Sequence, residues 1–383
     1  MMTGDASQNA VLWAVLAAVV VVAWLANGLL TPLVTRLAHR YKWYDIPDSR
    51  KLHTGLIPRI GGLALFVSMA LATVLGFAVL TLMDRLALTP AGPLAAAAVG
   101  VAMIFGVGLY DDFVPLRART KLFLQMIAAT IVAASGMRVD SIAIPLLGDL
   151  HLGGMAVPLT VFWIVGMTNS VNLIDGIDGL AGGISAIAAA GMAIIALLQG
   201  QLLTALVALA LCGALGGFLI YNLPPASIFM GDSGSHLLGF ALAILPFLDI
   251  GGAATLGTLV VPATLVLIPI VDCGAATLRR LRQRRSVGSA DTEHIHYVLR
   301  ALGMSDRKIL VAVYSVCGYL AVVAVTSTVL VRGAAVYLFM FMVSWAGVLL
   351  AYGILVTLHA HRKQRRGDSG FQSDAGSGGP RQA

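Results

Sequence analysis

Residues 156–179, AVPLTVFWIVGMTNSVNLIDGIDG, pass directly from an apolar run into a run of amides and carboxylates. The apolar part, 156–171, has the composition of a membrane-spanning helix. The polar part therefore lies at the end of a span and not at its middle. Ionisable groups beside hydrocarbon cost free energy and are rare unless they have a function. This boundary predicts a helical membrane protein with a functional site at the membrane surface.

The composition of the whole chain supports the same class. Of the 383 residues, 58% are hydrophobic and 11% are charged. A soluble domain carries about 25% charged residues, so a soluble enzyme is excluded and no nucleic-acid partner is expected. The lipid interior offers no water to backbone groups, so the spans must be helices. We therefore predict an all-α polytopic membrane protein.

Apolar runs of bilayer length predict about eleven transmembrane helices. We expect residues 1–366 to form a single integral membrane catalytic domain. Residues 367–383 are rich in Gly and Ser and are expected to form a disordered cytoplasmic tail. The predicted spans are 10–31, 62–83, 91–110, 121–136, 156–171, 180–198, 202–221, 235–249, 253–278, 309–331 and 335–358.

The basic residues predict the orientation of these spans. If the spans alternate in direction, 22 of the 25 Lys and Arg residues fall on one side of the membrane. Basic loops are retained in the cytoplasm, so the N-terminus is predicted outside and the C-terminus in the cytoplasm. Every acidic cluster then lies on the cytoplasmic face of the cell inner membrane.

Two acidic clusters near this face indicate a cation that serves a phosphate substrate. Asp111 and Asp112 are adjacent carboxylates at the end of the third span, and both ionise easily only beside a cation. One of them can act as a base. Asp232 lies in a Gly-Asp-Ser-Gly stretch at the start of the eighth span, where a helix N-terminus favours an anion. A solvated helix end is the structural alternative for the pair.

The third cluster runs from Asn169 to Asp178 with polar residues at a spacing of three. On a straight helix these side chains would diverge, so they converge only if the helix ends. Gly176 and Gly179 provide that break. Amide and carboxylate oxygens suit a hard cation, or the ribose and amide groups of a nucleotide. Polar capping of two helices is the alternative interpretation.

Basic and histidine residues lie in the loops of the same face. Lys51 and His53 precede a Gly pair at the second span, and they either hold phosphate or only fix the orientation of the chain. His294 and His296 lie in the longest interior loop and could clamp a sugar phosphate. A zinc site would need more ligands at a fixed spacing, and none is evident.

At these residues the chain resembles the polyprenyl-phosphate N-acetylhexosamine-1-phosphate transferases (glycosyltransferase family 4). This family includes the WecA/TagO-like enzymes and is related to the muramyl-pentapeptide enzyme MraY. The resemblance runs from Thr31 to Lys308 and includes the eleven-helix plan. It implies transfer of a sugar 1-phosphate from a UDP-sugar to undecaprenyl (polyprenyl) phosphate, with release of UMP. It also implies a requirement for Mg²⁺, which Mn²⁺ could replace.

The resemblance further implies a role for individual residues. Asp111 and Asp112 match the pair that deprotonates the lipid phosphate, and Asn172 and Asp232 match positions that hold the metal and the diphosphate. Asp178 is assigned to the catalytic set with the pair. The expected substrate-binding residues are Lys51, His53 and Lys121 near the phosphates, Asn169 and Asp175 near the nucleotide, and His294 and His296 near the sugar.

Several alternatives remain open at this stage. Tyr297 stands where the family often has a third histidine, which favours a simple UDP-N-acetylhexosamine donor, with N-acetylglucosamine as the expected sugar. A phospho-MurNAc-pentapeptide donor is the alternative within the family. Direct displacement and a covalent enzyme intermediate are both compatible with these residues. From another class, an ion-coupled transporter would place its carboxylates near the bilayer midplane. A homodimer is a further expectation.

Overall fold

The computed structural model describes residues 6–45, 56–86, 90–144, 148–249, 254–284, 293–330 and 334–375. In this part of the chain the helices are α1 (Ala6–Tyr41), α2 (Gly61–Leu82), α3 (Ala91–Phe113), α4 (Ala118–Ala134), α5 (Ala156–Ile174), α6 (Leu180–Gln199), α7 (Leu202–Asn222), α8 (Gly231–Ile244), α9 (Val260–Leu265), α10 (Leu267–Arg282), α11 (Ile295–Ala301), α12 (Asp306–Leu330) and α13 (Ala334–Ala375). The strands are β1 (Tyr44–Asp45), β2 (Ile57–Pro58), β3 (Val139–Ile144), β4 (Gly148–His151) and β5 (Ala254–Thr255).

Eight of the described helices are long and apolar enough to cross a membrane. This confirms a polytopic helical membrane protein, and the count of eleven crossings stays a prediction. Two other predicted spans are short helices, because α4 has 17 residues and α8 has 14. Helix α13 overlaps the segment 367–383, whose separation as a disordered tail also stays a prediction.

The structure divides the ninth predicted span, 253–278, into two helices. Helix α9 ends at Leu265, and α10 begins at Leu267. Pro269 has no N–H to donate to the carbonyl of Leu265, and its ring would clash with that carbonyl, so a break before Pro269 is favoured. In the first turn of α10 the missing donor costs no helical hydrogen bond.

Two small sheets correct the prediction of an all-α fold to a nearly all-helical one. β1 pairs with β2 in antiparallel register, and β3 forms an antiparallel hairpin with β4 and pairs in parallel with β5. These strands lie in connections between helices, where water is available to the free edges. The β3–β4 hairpin joins α4 to α5, at the end of the bundle away from the acidic clusters.

Helix α8 lies at the centre of the bundle. Every residue from Ser233 to Ile244 is buried, and α2, α3 and α5 pack around the helix. The helices approach closely because each contact contains a glycine. A β-carbon on Gly62 of α2 or Gly108 of α3 would overlap the backbone of α8, and one on Gly239 of α8 would overlap the backbone of α5. In contrast, α1 and α13 are largely exposed and apolar, as expected of helices that face lipid.

Candidate active site

The first turn of α8 is capped by a carboxylate from another helix. Asp112, at the end of α3, accepts the backbone N–H of Asp232 on Oδ1 at 2.7 Å and that of Ser233 on Oδ2 at 3.1 Å. The first N–H groups of a helix lack partners within the helix, and the helix dipole favours a negative charge beside them. Asp112 therefore fixes the position of Asp232, which is the second residue of α8.

The start of α2 and the residues just before it contact the segment that leads into α8. The N–H groups of Gly61 and Gly62 donate to the carbonyls of Phe229 and Met230, at 2.9 and 2.8 Å. This pairing brings the Arg59 guanidinium to 3.3 Å from Oδ1 of Asp112. The buried carboxylate is thus compensated by two backbone donors and one cation, as a buried charge requires.

Lys121 joins the first and second acidic clusters. Its Nζ lies 2.6 Å from Oδ2 of Asp111 and 2.5 Å from Oδ2 of Asp232. The other oxygen of Asp111 accepts the N–H of Leu116 at 2.6 Å. The Lys121 side chain is 24% exposed, so the ion pairs that it forms are partly open to water. A cation therefore lies between two carboxylates that come from α3 and α8.

Asn172 adds an amide to the same group. Its Nδ2 donates to Ser235 Oγ at 2.9 Å and lies 3.4 Å from Oδ1 of Asp232. The amide nitrogen is thereby committed, which leaves the amide oxygen to face a cation. Among the described residues no three His, Cys, Asp or Glu side chains are placed to hold a metal ion by themselves. Mg²⁺ commonly takes only one or two protein ligands and completes its shell with water and phosphate oxygens, so Asp232 and Asn172 fit it.

The loop between α5 and α6 carries the remaining two carboxylates. Burial, together with the negative charges of Asp232, Asp112 and Asp178, raises the pKa of Asp175 to about 7. A cation bound beside Asp175 would favour its ionised form and lower this pKa again. Asp178 accepts the N–H of Ala226 on Oδ2 at 2.9 Å, which ties this loop to the segment before α8.

A second polar layer lies one helical turn deeper. Asn169 donates to Gln125 Oε1 at 2.6 Å, and Gln125 Nε2 lies 3.3 Å from His236 Nε2. Gln125 and His236 stand four residues after Lys121 and Asp232, so each occupies the same helix face as the charged residue above it. Asn169, predicted to bind substrate, is engaged here and lies beneath the carboxylates.

The two histidines lie at the start of α11. Asp272 of α10 accepts His294 Nδ1 on Oδ2 at 2.8 Å. His296 stacks parallel to His294 and packs directly on Gly176, where any β-carbon would overlap its ring. Burial lowers the pKa of His296 to about 4, so this imidazole is neutral at neutral pH. His296 is therefore an uncharged packing group, and neither of its ring nitrogens has a hydrogen-bond partner among the described residues.

The structure brings together six of the twelve site residues that were predicted from the sequence. Asp111, Asp112, Lys121, Asn172 and Asp232 form one connected group, and Asp175 adjoins it. Lys51 and His53 lie outside the described residues. The resemblance also matches Asp272, with Pro269, to a Pro-x-x-Asp feature, but the sequence assigned no role to it. Four contributors were thus absent from the expected site, although polar side chains inside or beside apolar spans are a signal for all of them: Arg59, Gln125, Ser235 and Asp272.

The close packing of α3 on α8 can be tested with one methyl group. In Gly108→Ala the new β-carbon would stand 2.6 Å from the Asp232 carbonyl oxygen and from Ser233 Cα. Because these are backbone atoms, we expect a loss of about 1–3 kcal/mol of stability, measured by thermal unfolding in detergent. The matched control is Gly106→Ala on the same helix, where nothing lies within 4 Å. Equal midpoints for the two variants would contradict the packing.

Comparison with known proteins agrees with this geometry. Residues 94–248, which span α3 to the end of α8, match the model of glycosyl transferase family 4. The chain is 35% identical to a probable undecaprenyl-phosphate N-acetylglucosaminyl 1-phosphate transferase of Bacillus subtilis, over 84% of this chain and 87% of the relative. It is 33% identical to a decaprenyl-phosphate N-acetylglucosaminephosphotransferase of Mycobacterium leprae, over 80% of this chain and 82% of the relative.

A third relative extends the comparison to another bacterial group. An undecaprenyl-phosphate alpha-N-acetylglucosaminyl 1-phosphate transferase of Yersinia pestis is 31% identical over 73% of this chain and 76% of the relative. Each of these alignments covers most of this chain and most of the relative. The matched region also contains every carboxylate of the connected group described above. The chain therefore belongs to glycosyl transferase family 4.

Proposed function

We propose that the protein transfers N-acetylglucosamine 1-phosphate from UDP-N-acetylglucosamine to undecaprenyl phosphate or a similar polyprenyl phosphate, and releases UMP. The product would be a polyprenyl-diphosphate sugar for the synthesis of a cell-envelope glycan. The observation that carries the proposal is the pairing of Lys121 with Asp111 and Asp232 at one end of the bundle. The names of three similar proteins supply the sugar and the lipid.

The reaction brings two anionic substrates together, and the cluster supplies what that requires. Lys121 sits between two carboxylates and would turn to the phosphates once they bind. That movement frees Oδ2 of Asp111, which would accept a proton from the lipid phosphate. Asp112 is already committed to the start of α8, so it holds Asp232 in place while Asp111 acts as the base.

The bond changes follow from this arrangement. An oxygen of the lipid phosphate forms a bond to the β-phosphorus of the UDP-sugar. The bond from that phosphorus to the oxygen bridging the α-phosphate breaks, and UMP leaves with the electron pair. We propose direct displacement, with Arg59 and Lys121 providing fixed positive charge at the reacting phosphates. Trapping a labelled phospho-sugar on the protein without lipid acceptor would favour a covalent intermediate instead.

Mg²⁺ is part of the proposal, with Mn²⁺ as a substitute. Asp232 and the amide oxygen of Asn172 would hold it, as their placement beside Lys121 and Ser235 permits. When bound, the ion would neutralise charge on the diphosphate and on the leaving UMP. Asp175 and Asp178 would support the nucleotide and the metal from the adjoining loop, while His294, His296, Lys51 and His53 would serve the sugar and the phosphates.

The placement in the membrane is proposed from the charges. Eleven crossings with the N-terminus outside would put the acidic clusters on the cytoplasmic face of the inner membrane, together with most Lys and Arg residues. Single cysteines introduced at Arg117 and at Arg138 provide the test, since these positions flank opposite ends of α4. Only the first should be protected from an impermeant thiol reagent in intact cells. The reverse pattern would invert the topology.

The deciding experiment is an assay of UMP release by the purified protein in detergent. Undecaprenyl phosphate and Mg²⁺ are supplied with several UDP-N-acetylhexosamines in turn, including UDP-MurNAc-pentapeptide. We expect release that depends on the lipid, on the metal and on UDP-N-acetylglucosamine. Release only with the pentapeptide donor would select the alternative within the family. Solute uptake by sealed vesicles, without release of UMP from any donor, would favour a transporter.

A further inference from the structure

A buried carboxylate in α10 connects the last membrane helix to the histidine loop. Asp272 is 1% exposed, and both of its oxygens are engaged. Oδ2 accepts His294 Nδ1 at 2.8 Å, while Oδ1 accepts the N–H of Ile295 at 2.8 Å and the hydroxyl of Tyr352 at 3.1 Å. A buried charge with three donors is well compensated and holds all three partners in place.

The third partner comes from α13, which carries none of the residues nominated from the sequence. Tyr352 donates its hydroxyl to Asp272 and accepts a hydrogen bond from Arg279 Nη1 at 3.3 Å. Arg279 Nε in turn lies 3.6 Å from Glu293, the residue just before His294. The two ends of this chain of contacts therefore meet at the start of α11, and α10 and α13 together determine where α11 begins.

The contact with Asp272 also determines which atom of His294 is available. A carboxylate accepts but does not donate, so Nδ1 carries the proton. The ring is fixed by that bond, and Nε2 is left as the nitrogen that can meet a substrate oxygen. His296, whose ring stacks on that of His294, rests on Gly176 beside Asp175. A displaced α11 would therefore move both histidines relative to the acidic loop.

We infer that Asp272 and Tyr352 are positioning residues for the donor sugar, which act through His294. This inference rests on the proposed function, because it assigns His294 to the sugar-phosphate side of the UDP-sugar. Neither residue touches the Asp111–Lys121–Asp232 group through any contact in the described part of the chain. Their effect should therefore fall on the donor and spare the lipid acceptor.

Steady-state kinetics of UMP release test this assignment, with each substrate varied in turn. We expect Asp272→Asn to raise the KM for UDP-N-acetylglucosamine about tenfold, since one buried charge-assisted hydrogen bond is lost. The KM for undecaprenyl phosphate should stay within about twofold of the unmodified protein, a margin well inside the effect of one hydrogen bond. Tyr352→Phe removes only a hydroxyl and should raise the donor KM about threefold.

The double variant separates positioning from a general structural role. If Asp272 acts through His294, then Asp272→Asn adds nothing to the defect of His294→Gln, because the ring it orients is already absent. Multiplying defects would overturn the inference. So would an equal rise in the KM for both substrates. If Asp272→Asn does not fold, the same cycle is run with Tyr352→Phe, which keeps the ring and the volume of the side chain.

Two control variants alter hydrogen bonds elsewhere in the bundle. Tyr221→Phe deletes a half-buried hydroxyl that donates to the Gly28 carbonyl at 2.9 Å, and Asp249→Asn alters a carboxylate that caps the start of α7. Neither should change the donor KM. If the unmodified protein releases no UMP with any donor, the proposed function fails. If it is active but the donor KM of Asp272→Asn and Tyr352→Phe is unchanged, only the positioning inference fails.

Discussion

Asp232→Asn should lower the rate of UMP release about 100- to 1,000-fold, the range seen when one preorganised charge-stabilising group is removed. Asp232 forms the ion pair with Lys121 at 2.5 Å and faces the amide of Asn172. Asn has the same shape as Asp but no charge, so residue 232 would bind both Lys121 and Mg²⁺ more weakly in the variant. The backbone of α8 should be unaffected, because Asp112 binds the N–H of residue 232 and not its side chain.

Two measurements complete this test. The thermal unfolding midpoint in detergent should stay close to that of the unmodified protein, which separates lost chemistry from lost folding. Asp249→Asn is the control, because it makes the same substitution at a carboxylate that caps α7 at the other end of the bundle. Its activity should be normal. Full activity in Asp232→Asn would remove Asp232 from the proposed metal and phosphate site.

Asp112→Asn should lose activity by a similar factor and should also lose stability. Both oxygens of Asp112 accept backbone N–H groups at the start of α8, at 2.7 and 3.1 Å. An amide offers one oxygen, so one of these buried donors would face an NH₂ group. An unsatisfied buried donor costs about 1–3 kcal/mol, which should appear as a lower unfolding midpoint. UMP release and thermal unfolding are measured on the same preparation.

The adjacent Asp111→Asn provides the comparison. Its Oδ1 can still accept the N–H of Leu116, while the contacts of the carboxylate with Lys121 and Asp232 are altered. We expect a large loss of activity with a much smaller loss of stability, since that ion pair is partly exposed to water. Equal stability losses in the two variants would contradict the division of the pair into a base and a helix cap.

The convergence of the acidic clusters was predictable from the sequence, because alternating spans place their polar ends on one face. The division of labour within the pair was not. Asp111 and Asp112 are equivalent as sequence, and only the approach of α8, more than a hundred residues later in the chain, makes one of them a cap. The same holds for Asp272, whose partner His294 lies 22 residues later in the chain, at the start of another helix.

Local chemistry explains the other differences. A polar residue stands four positions after Lys121 and another four positions after Asp232. This spacing indicates that each lies on the same helix face as the charged residue before it. Gln125 and His236 were nevertheless not linked, because their contact joins two different helices. The break at Val266 follows from Pro269, but hydropathy alone continues smoothly through it. Short strands such as β3 lie outside the apolar runs, so counting runs of bilayer length cannot predict them.

The burial of α8 has a consequence for how the chain is made. With 14 residues, including Asp232 and His236, α8 is a poor candidate for stable insertion into lipid by itself. Its apolar and polar side chains find their partners on α2, α3 and α5, which are all synthesised earlier. The two backbone N–H groups that Asp112 accepts, those of Asp232 and Ser233, are present only after the chain has been synthesised to that point. The site is therefore assembled late in biosynthesis, so a truncated nascent chain contains carboxylates but no functional centre.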